Sequence, residues 1–600
     1  MSTAPPRWDL SNVFTGLDAS ELHADIQWIA DESAAIDAFY QNQLLPLTKK
    51  SDPQTIATRL SELVDRLNAL YLKVGTIKAY LNSFITTDSF NKEALRLNSQ
   101  FEILTVPFEN SVMKIKTWLG KIDVALPEVL KIDGSAKAHA FFIGEAAKQS
   151  RYLMSEAEEI LATELSLSGG RAWAQLQGTV TSQKTVEVEL EGEIKTLPMP
   201  ALINLHAHQD EAVRRRGYEV EMQAWETIKE PLAACMNGIK GAVNTLNKHR
   251  QREDALHSAL DKARIDRETL DTMLGAMNDS FPIFRRYFRA KARRFGQESL
   301  PWWNLFAPVG KADKTYSYEE ATALILENFT TFSPELSGFA KRAFDENWID
   351  AEQRKGKRGG AFCMSVPAVK QSRILSNFDG SLNQVMTLAH ELGHGFHNYC
   401  MFQAGRTELQ RQTPMTLAET ASIMCETIVF NAIISQVTDP QEELAILETA
   451  LISDSQVIVD ISSRFLFEQE VFERCEEAEL SADELCEIME KAQKATYGDG
   501  LDERFLHKYM WTWKPHYYSM GLSFYNFPYA FGLLFGTGLY AIYQQRGEAF
   551  VDDYKQLLAS TGQGTAAELA ARFGIDIKQR NFWENSLKVI EKRVDRYCEL

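Results

Sequence analysis

The sequence predicts a mainly α fold with a small β-sheet, spread over more than one domain. Three observations point there. Apolar residues recur at spacings of three and four through most of the chain. Two-residue alternation is confined to a few short runs. And 600 residues exceed what one hydrophobic core organises, since domains average about 150 residues.

Taken in chain order, amphipathic helices are expected around 53–80, 91–120, 154–166, 208–248, 253–276, 439–476 and 482–495. Thr185–Leu190 alternates as TVEVEL, Glu191-Gly192 supplies a turn, and Glu193–Leu197 can return as a hairpin. The turn residues Pro198 and Pro200 follow, so a boundary is placed near residue 200: an N-terminal helical domain over 1–200 and a catalytic domain over 201–600. Ala361–Val366 and Arg373–Phe378 are two further short strands. No repeat of fixed period occurs. From Pro515 to Gln545 no charged residue appears. That run holds His516, Asn526, Pro528 and many tyrosines, which makes it a poor span and a good buried segment packed through Gly532, Gly536 and Gly538.

Composition narrows the function. Lys plus Arg is 64 and Asp plus Glu is 82, a net charge of −18. Nucleic acid and anionic membrane are therefore not expected as partners. Seven scattered cysteines with no CxxC fit a reducing cytoplasm. The first thirty residues carry Arg7, Asp9, Asp18, Glu21 and Asp25 and have no apolar core of a leader. Two basic clusters, Arg285 to Arg294 and Arg354 to Arg358, read as solvated faces paired to acids; the second lacks phosphate-loop spacing.

The chemistry lies in His390-Glu391-Leu392-Gly393-His394. Asp379-Gly380 turns the chain, Ser381 and Gln384 have capping-box spacing, and Val385, Ala389, Leu392 and Phe396 make an apolar stripe, so HExxH sits on a helix. His390 and His394 then stand one turn apart and can reach one ion. Glu391 is rotated by about 100° and can hold a water instead. A catalytic zinc takes three protein ligands and a water. The third is not at Cys400, where HExxHxxGxxH would put it. Two later acids qualify on spacing, Glu419 and Glu426, seven apart on one helical face. Thr416 offers Glu419 a competing role in a capping box. His397 lies about 10.5 Å of helical rise from His390, too far for the same ion.

The block GGAFCMSVPAVKQSRILSNFDGSLNQVMTLAHELGHGFHN over 359–398 resembles the catalytic region of the oligoendopeptidase F and thimet oligopeptidase family of zinc metallopeptidases. AETASIMCET over 418–427 is similar to the family's third-ligand helix, and its glutamate falls 25 residues after the second histidine, at Glu419. WDLSNVF over 8–14 and FYNFPYAFG over 524–532 extend the likeness across most of the chain, closest to oligoendopeptidase F. The resemblance implies a two-lobed helical ellipsoid with a deep channel that admits short unstructured peptides. It implies one Zn²⁺ held by His390, His394 and Glu419, with Glu391 as general base. It implies oxyanion donors among His516, Tyr529 and Tyr525, and substrate backbone paired to the strand near Arg373–Phe378. Oligopeptides are then the partners, and internal peptide bonds the target. A zinc carboxypeptidase on a similar fold and a zinc-stabilised peptide-binding protein are the alternatives. The first lacks an identifiable charge for a terminal carboxylate, and the second has no use for Glu391.

Overall fold

The computed structural model describes residues 5–190, 192–310 and 314–600. It is mostly helical, with two small sheets. The long periodic stretches form helices, among them Pro53–Thr87, Lys92–Lys121, Glu156–Ser168 and Ala482–Tyr497. Three expected stretches are split. The 208–248 stretch becomes Glu211–Glu226 and Lys229–His249; 253–276 becomes His257–Ala263 and Arg267–Arg294; 439–476 is interrupted by a π-turn at Gln456–Asp460. A 3.6-residue period survives a break of two to five residues, which is why the sequence does not reveal these joints.

The chain forms two compact units, each from three stretches: Met1–Leu153, Lys314–Ile433 and Ile542–Gly574 in the first, and Met154–Asp313, Ile434–Ala541 and Ile575–Leu600 in the second. The division differs from a single break near residue 200. The hairpin β1 (Thr185–Leu190) and β2 (Glu193–Pro198) packs on the helices Glu211–Glu226 and Met199–Ile203, so it closes no domain. Of its expected turn, Glu191 lies outside the described residues.

In the first unit, helices Ser20–Phe39, Pro53–Thr87 and Lys92–Lys121 surround a core that includes Leu22, Ile29, Leu60, Leu67 and Phe101. Asp52 and Asn91 cap two of them by accepting the amides of Thr55 and Ala94. A three-stranded sheet leads into the HExxH helix. β3 (Ile349–Asp350), β4 (Phe362–Val366) and β5 (Gln371–Leu375) take the order β3-β5-β4. β5 runs antiparallel to β4, with Met364 opposite Arg373, and parallel to β3. This corrects the expected substrate strand: β5 is the central strand, and the open edge belongs to β4. Arg373 is buried and donates to the Asp9 carbonyl at 2.9 Å and Asn12 Oδ1 at 2.7 Å, which ties the WDLSNVF segment to the sheet.

In the second unit, Gly538 of helix Phe527–Arg546 is buried where a Cβ would meet Ser586 Oγ at 2.5 Å and the Phe582 ring at 2.7 Å, so the charge-free run does pack through a small residue. Among the described residues one stretch, Met415–Gln436, is long and apolar enough to cross a membrane, and most of its apolar window is buried in the protein. The basic clusters pair with acids, Arg286 with Glu591 and Asp595, and Arg354 with Asp350. Not all of this is surface: Lys291 against Glu448 and Lys357 against Asp350 are fully buried.

Candidate metal centre

Gly380 takes φ +83° at the turn before the HExxH helix, where a Cβ would meet the Tyr316 carbonyl at 2.9 Å. Ser381 Oγ then accepts the Gln384 amide at 3.3 Å and caps Leu382–Gln403. Only half of the expected capping box forms, because Gln384 Oε1 accepts the Ser376 hydroxyl instead. Val385, Ala389, Leu392 and Phe396 are all buried, which turns His390 and His394 to a common face with ring centroids 4.9 Å apart.

The third candidate ligand comes from the next helical segment. A turn at Met415–Ala418 ends at Glu419, and Thr420–Gln436 starts a new helix. At this bend Glu419 Oε2 reaches His390 Nε2 at 3.3 Å and His394 Nε2 at 3.4 Å, while the Ser422 hydroxyl donates to it at 2.7 Å. Close contact makes this reach attainable. Gly393, between the two histidines, lies against the second helix, where a Cβ would be 2.5 Å from the Ala421 carbonyl oxygen and 2.6 Å from Ser422 Cα.

His390, His394 and Glu419 offer ligand atoms within 4.8 Å of one another. Glu426 stands behind them: its Oε2 accepts His390 Nδ1–H at 3.1 Å, which leaves the Nε2 lone pair for the centre. The electrostatics suit a cation. Burial opposes protonation of His390, yet the carboxylates of Glu419 and Glu426 outweigh it and raise its pKa to about 10. Burial works against ionisation of Glu419, but hydrogen bonds from the two histidines hold its carboxyl far below the usual range. Two imidazole nitrogens and a carboxylate oxygen converging in such a field fit zinc.

Glu391 points elsewhere. It is buried, its Oε2 has no hydrogen-bond partner among the described residues, and burial raises its pKa despite the nearby histidines. That is a carboxylate waiting for a proton donor. His397 is packed rather than ligating. It is buried, its Nε2 bonds Thr561 Oγ1 at 2.8 Å, and burial lowers its pKa to about 4. The sequence carries no signal for the contributions of Ser422 and Thr561, since hydroxyls pattern no helix.

In the second unit, His516, Tyr525 and Tyr529 come together. The His516 ring lies 5.7 Å from that of Tyr525, and the hydroxyls of Tyr525, in the turn before helix Phe527–Arg546, and Tyr529, in its first turn, are 2.7 Å apart. His516 is buried, and burial, reinforced by Arg464, Lys240 and Lys514, lowers its pKa to about 3, so it is neutral near pH 7.

Residues 204–589 match the family model described as Peptidase family M3. The chain belongs to that family. It is an M3 peptidase with the fold of oligoendopeptidase F, and as such a metallopeptidase acting on peptides. It is 23% identical to oligopeptidase PepF of Bacillus subtilis over 97% of this chain and 88% of that protein. It is 22% identical to an oligoendopeptidase F homolog of Lactococcus lactis over 97% and 92%. Among solved structures, a putative peptidase from Chlamydophila abortus superposes with TM-score 0.84 at 17% identity, covering 100% of both chains. Oligoendopeptidase-F from Enterococcus faecium gives 0.69 at 19% identity, covering 96% of this chain and 98% of that one.

Proposed function

We propose that this M3 peptidase is a zinc-dependent oligoendopeptidase that hydrolyses internal bonds of short unstructured peptides. The observation that carries the reading is the convergence of His390, His394 and Glu419 beside a buried carboxyl, Glu391, with an unpartnered oxygen. Zinc bound by those three residues supplies Lewis acidity, which polarises a carbonyl and brings the pKa of water to about 7. Glu391 takes the proton of the attacking water and returns it to the leaving amine; its raised pKa suits both transfers. His390 keeps its Nε2 directed inward because Glu426 holds Nδ1–H. Tyr529, Tyr525 and neutral His516 act as donors to the developing oxyanion, each worth about 3 kcal/mol.

Substrate backbone pairs with the open edge of β4, which gives affinity with little side-chain selection. The peptide reaches the site as an extended chain, in single file. A folded domain would have to give up about 5–15 kcal/mol to follow. A cytoplasmic setting, expected from the cysteine usage, belongs to the same reading.

Mass spectrometry of a random pool of N- and C-blocked peptides, with and without a chelator, tests this. Chelator-sensitive internal cleavage is expected. Trimming confined to unblocked C-termini would replace the reading with a carboxypeptidase, and cleavage indifferent to chelation would refute it.

A further inference from the structure

Phe524 has φ +53°, in the left-handed region that a bulky aromatic residue rarely occupies. It immediately precedes Tyr525. Something must hold it there, and the second unit supplies a bracket. The Phe524 amide donates to Glu468 Oε2 at 2.9 Å. Glu468 Oε1 accepts from Lys240 Nζ at 2.6 Å, with the two side chains 3% and 0% exposed. The Phe524 ring is packed 5.1 Å from Phe465 and 5.7 Å from Phe472.

Lys240 also touches the other end of the loop. Its ammonium lies 4.3 Å from the Phe472 ring centroid and 5.7 Å from that of Tyr517. Tyr517 follows His516, and their rings are 4.4 Å apart. The ion pair thus grips the chain one residue after His516 and one residue before Tyr525. Its members come from two helices, Lys229–His249 and Ile461–Cys475. A buried ion pair is a poor source of stability, because desolvation of both charges offsets their attraction. What it does supply is direction: one fixed carboxylate oxygen that only one backbone geometry satisfies.

We infer that Lys240 and Glu468 are positioning residues that hold His516, Tyr525 and Tyr529 in donor geometry through the Phe524 amide and the Tyr517 ring. The inference rests on the reading of those three residues as oxyanion donors.

Two neutral double variants, K240M/E468Q and K240M/E468M, test it in the full-length zinc-loaded protein. Glutamine keeps an oxygen for the Phe524 amide; methionine has nearly the same shape and none. Each double leaves one buried donor without its partner, the glutamine NH2 in K240M/E468Q and the Phe524 N–H in K240M/E468M, so a merely structural role makes the two equally active. Positioning separates them. K240M/E468Q should keep kcat near wild type, while K240M/E468M loses about tenfold to a hundredfold, the size of a small misplacement of catalytic groups. KM and zinc content should not change, and hydrogen exchange at the Phe524 amide should accelerate only in K240M/E468M. Equal turnover of the two doubles overturns the inference. If K240M/E468M does not fold, wild-type exchange decides: the Phe524 amide should be protected like those of the flanking helices, and exchange at the rate of an open loop refutes the bracket. Tyr529→Phe and Tyr525→Phe are run in parallel. Full turnover in both refutes the donor reading itself, and the exchange difference between the doubles then decides the bracket alone.

Discussion

Replacing Gly393 by alanine adds one methyl group where the two ligand-bearing helices meet. The new Cβ would lie 2.5 Å from the Ala421 carbonyl oxygen and 2.6 Å from Ser422 Cα, whereas ordinary contact begins at 3.4 Å. Both neighbours are backbone, so no side chain can swing aside. The helices must separate by about 0.8–0.9 Å. A metal–ligand distance tolerates about 0.2 Å. Glu419, three residues before Ser422 and bonded to its hydroxyl, moves with the displaced helix. Overpacking of this kind costs about 1–3 kcal/mol. If that is taken from metal binding, affinity falls by about one to two powers of ten, at about 1.4 kcal/mol per power. Competition against a chromophoric chelator measures it, with circular dichroism as the check on folding. The same displacement should leave Glu391 in place, so activity at saturating zinc falls less than affinity does. A G393A protein that binds zinc as tightly as wild type would refute the claim that this contact sets the position of Glu419.

Three other outcomes follow from the site. Glu391→Gln should retain full zinc by elemental analysis and lose about 10²–10⁴ in kcat, since a base and not a ligand is removed; retained turnover refutes its role. In the metal-free protein His390 has its pKa raised to about 10, above the ordinary value, so at pH 7–9 it carries a proton that zinc must displace. Apparent zinc affinity should therefore rise about tenfold per pH unit from 7 to 9, and a flat profile in chelator competition contradicts the field assigned to Glu419 and Glu426. Tyr529→Phe should lower kcat by about 10²–10³ with little change in KM; wild-type turnover combined with collapse of Tyr525→Phe moves the donor role to Tyr525.

The local chemistry of the site was legible because it is written in one helix. Two histidines four apart, an apolar stripe and a cap need no tertiary knowledge, and all form within Leu382–Gln403. Glu419 and Glu426 could not be separated by helical spacing, because the bend at Glu419 breaks the periodicity that would relate them. Their division of labour, one turned to both Nε2 atoms and the other to Nδ1 of His390, is a fact of three-dimensional placement. Four of the five strands were readable to within three residues, but the two-residue β3 and the strand order were not. Alternation marks a strand without naming its neighbours, so β5 looked like an edge until its pairing with β3 was seen. The bracket around Phe524 was wholly invisible, since Lys240 and Glu468 are ordinary charged residues of amphipathic helices until burial brings them together. The interleaving of the two units left no mark in composition at all.

That interleaving bears on how the chain is made. The three proposed metal ligands all lie between residues 390 and 419, yet the wall behind them is supplied by the last stretch of the first unit. Tyr554 donates to the Thr420 carbonyl at 3.2 Å, and Thr561 bonds His397. A ribosome adding about 5–20 residues per second therefore finishes the zinc ligands well before the wall that seats them. The N-terminal 153 residues, with a core largely their own, can settle early. The wall of the proposed metal site is not complete until synthesis has passed Thr561, so a chain truncated before that point carries the whole HExxH motif without a finished place for its ion.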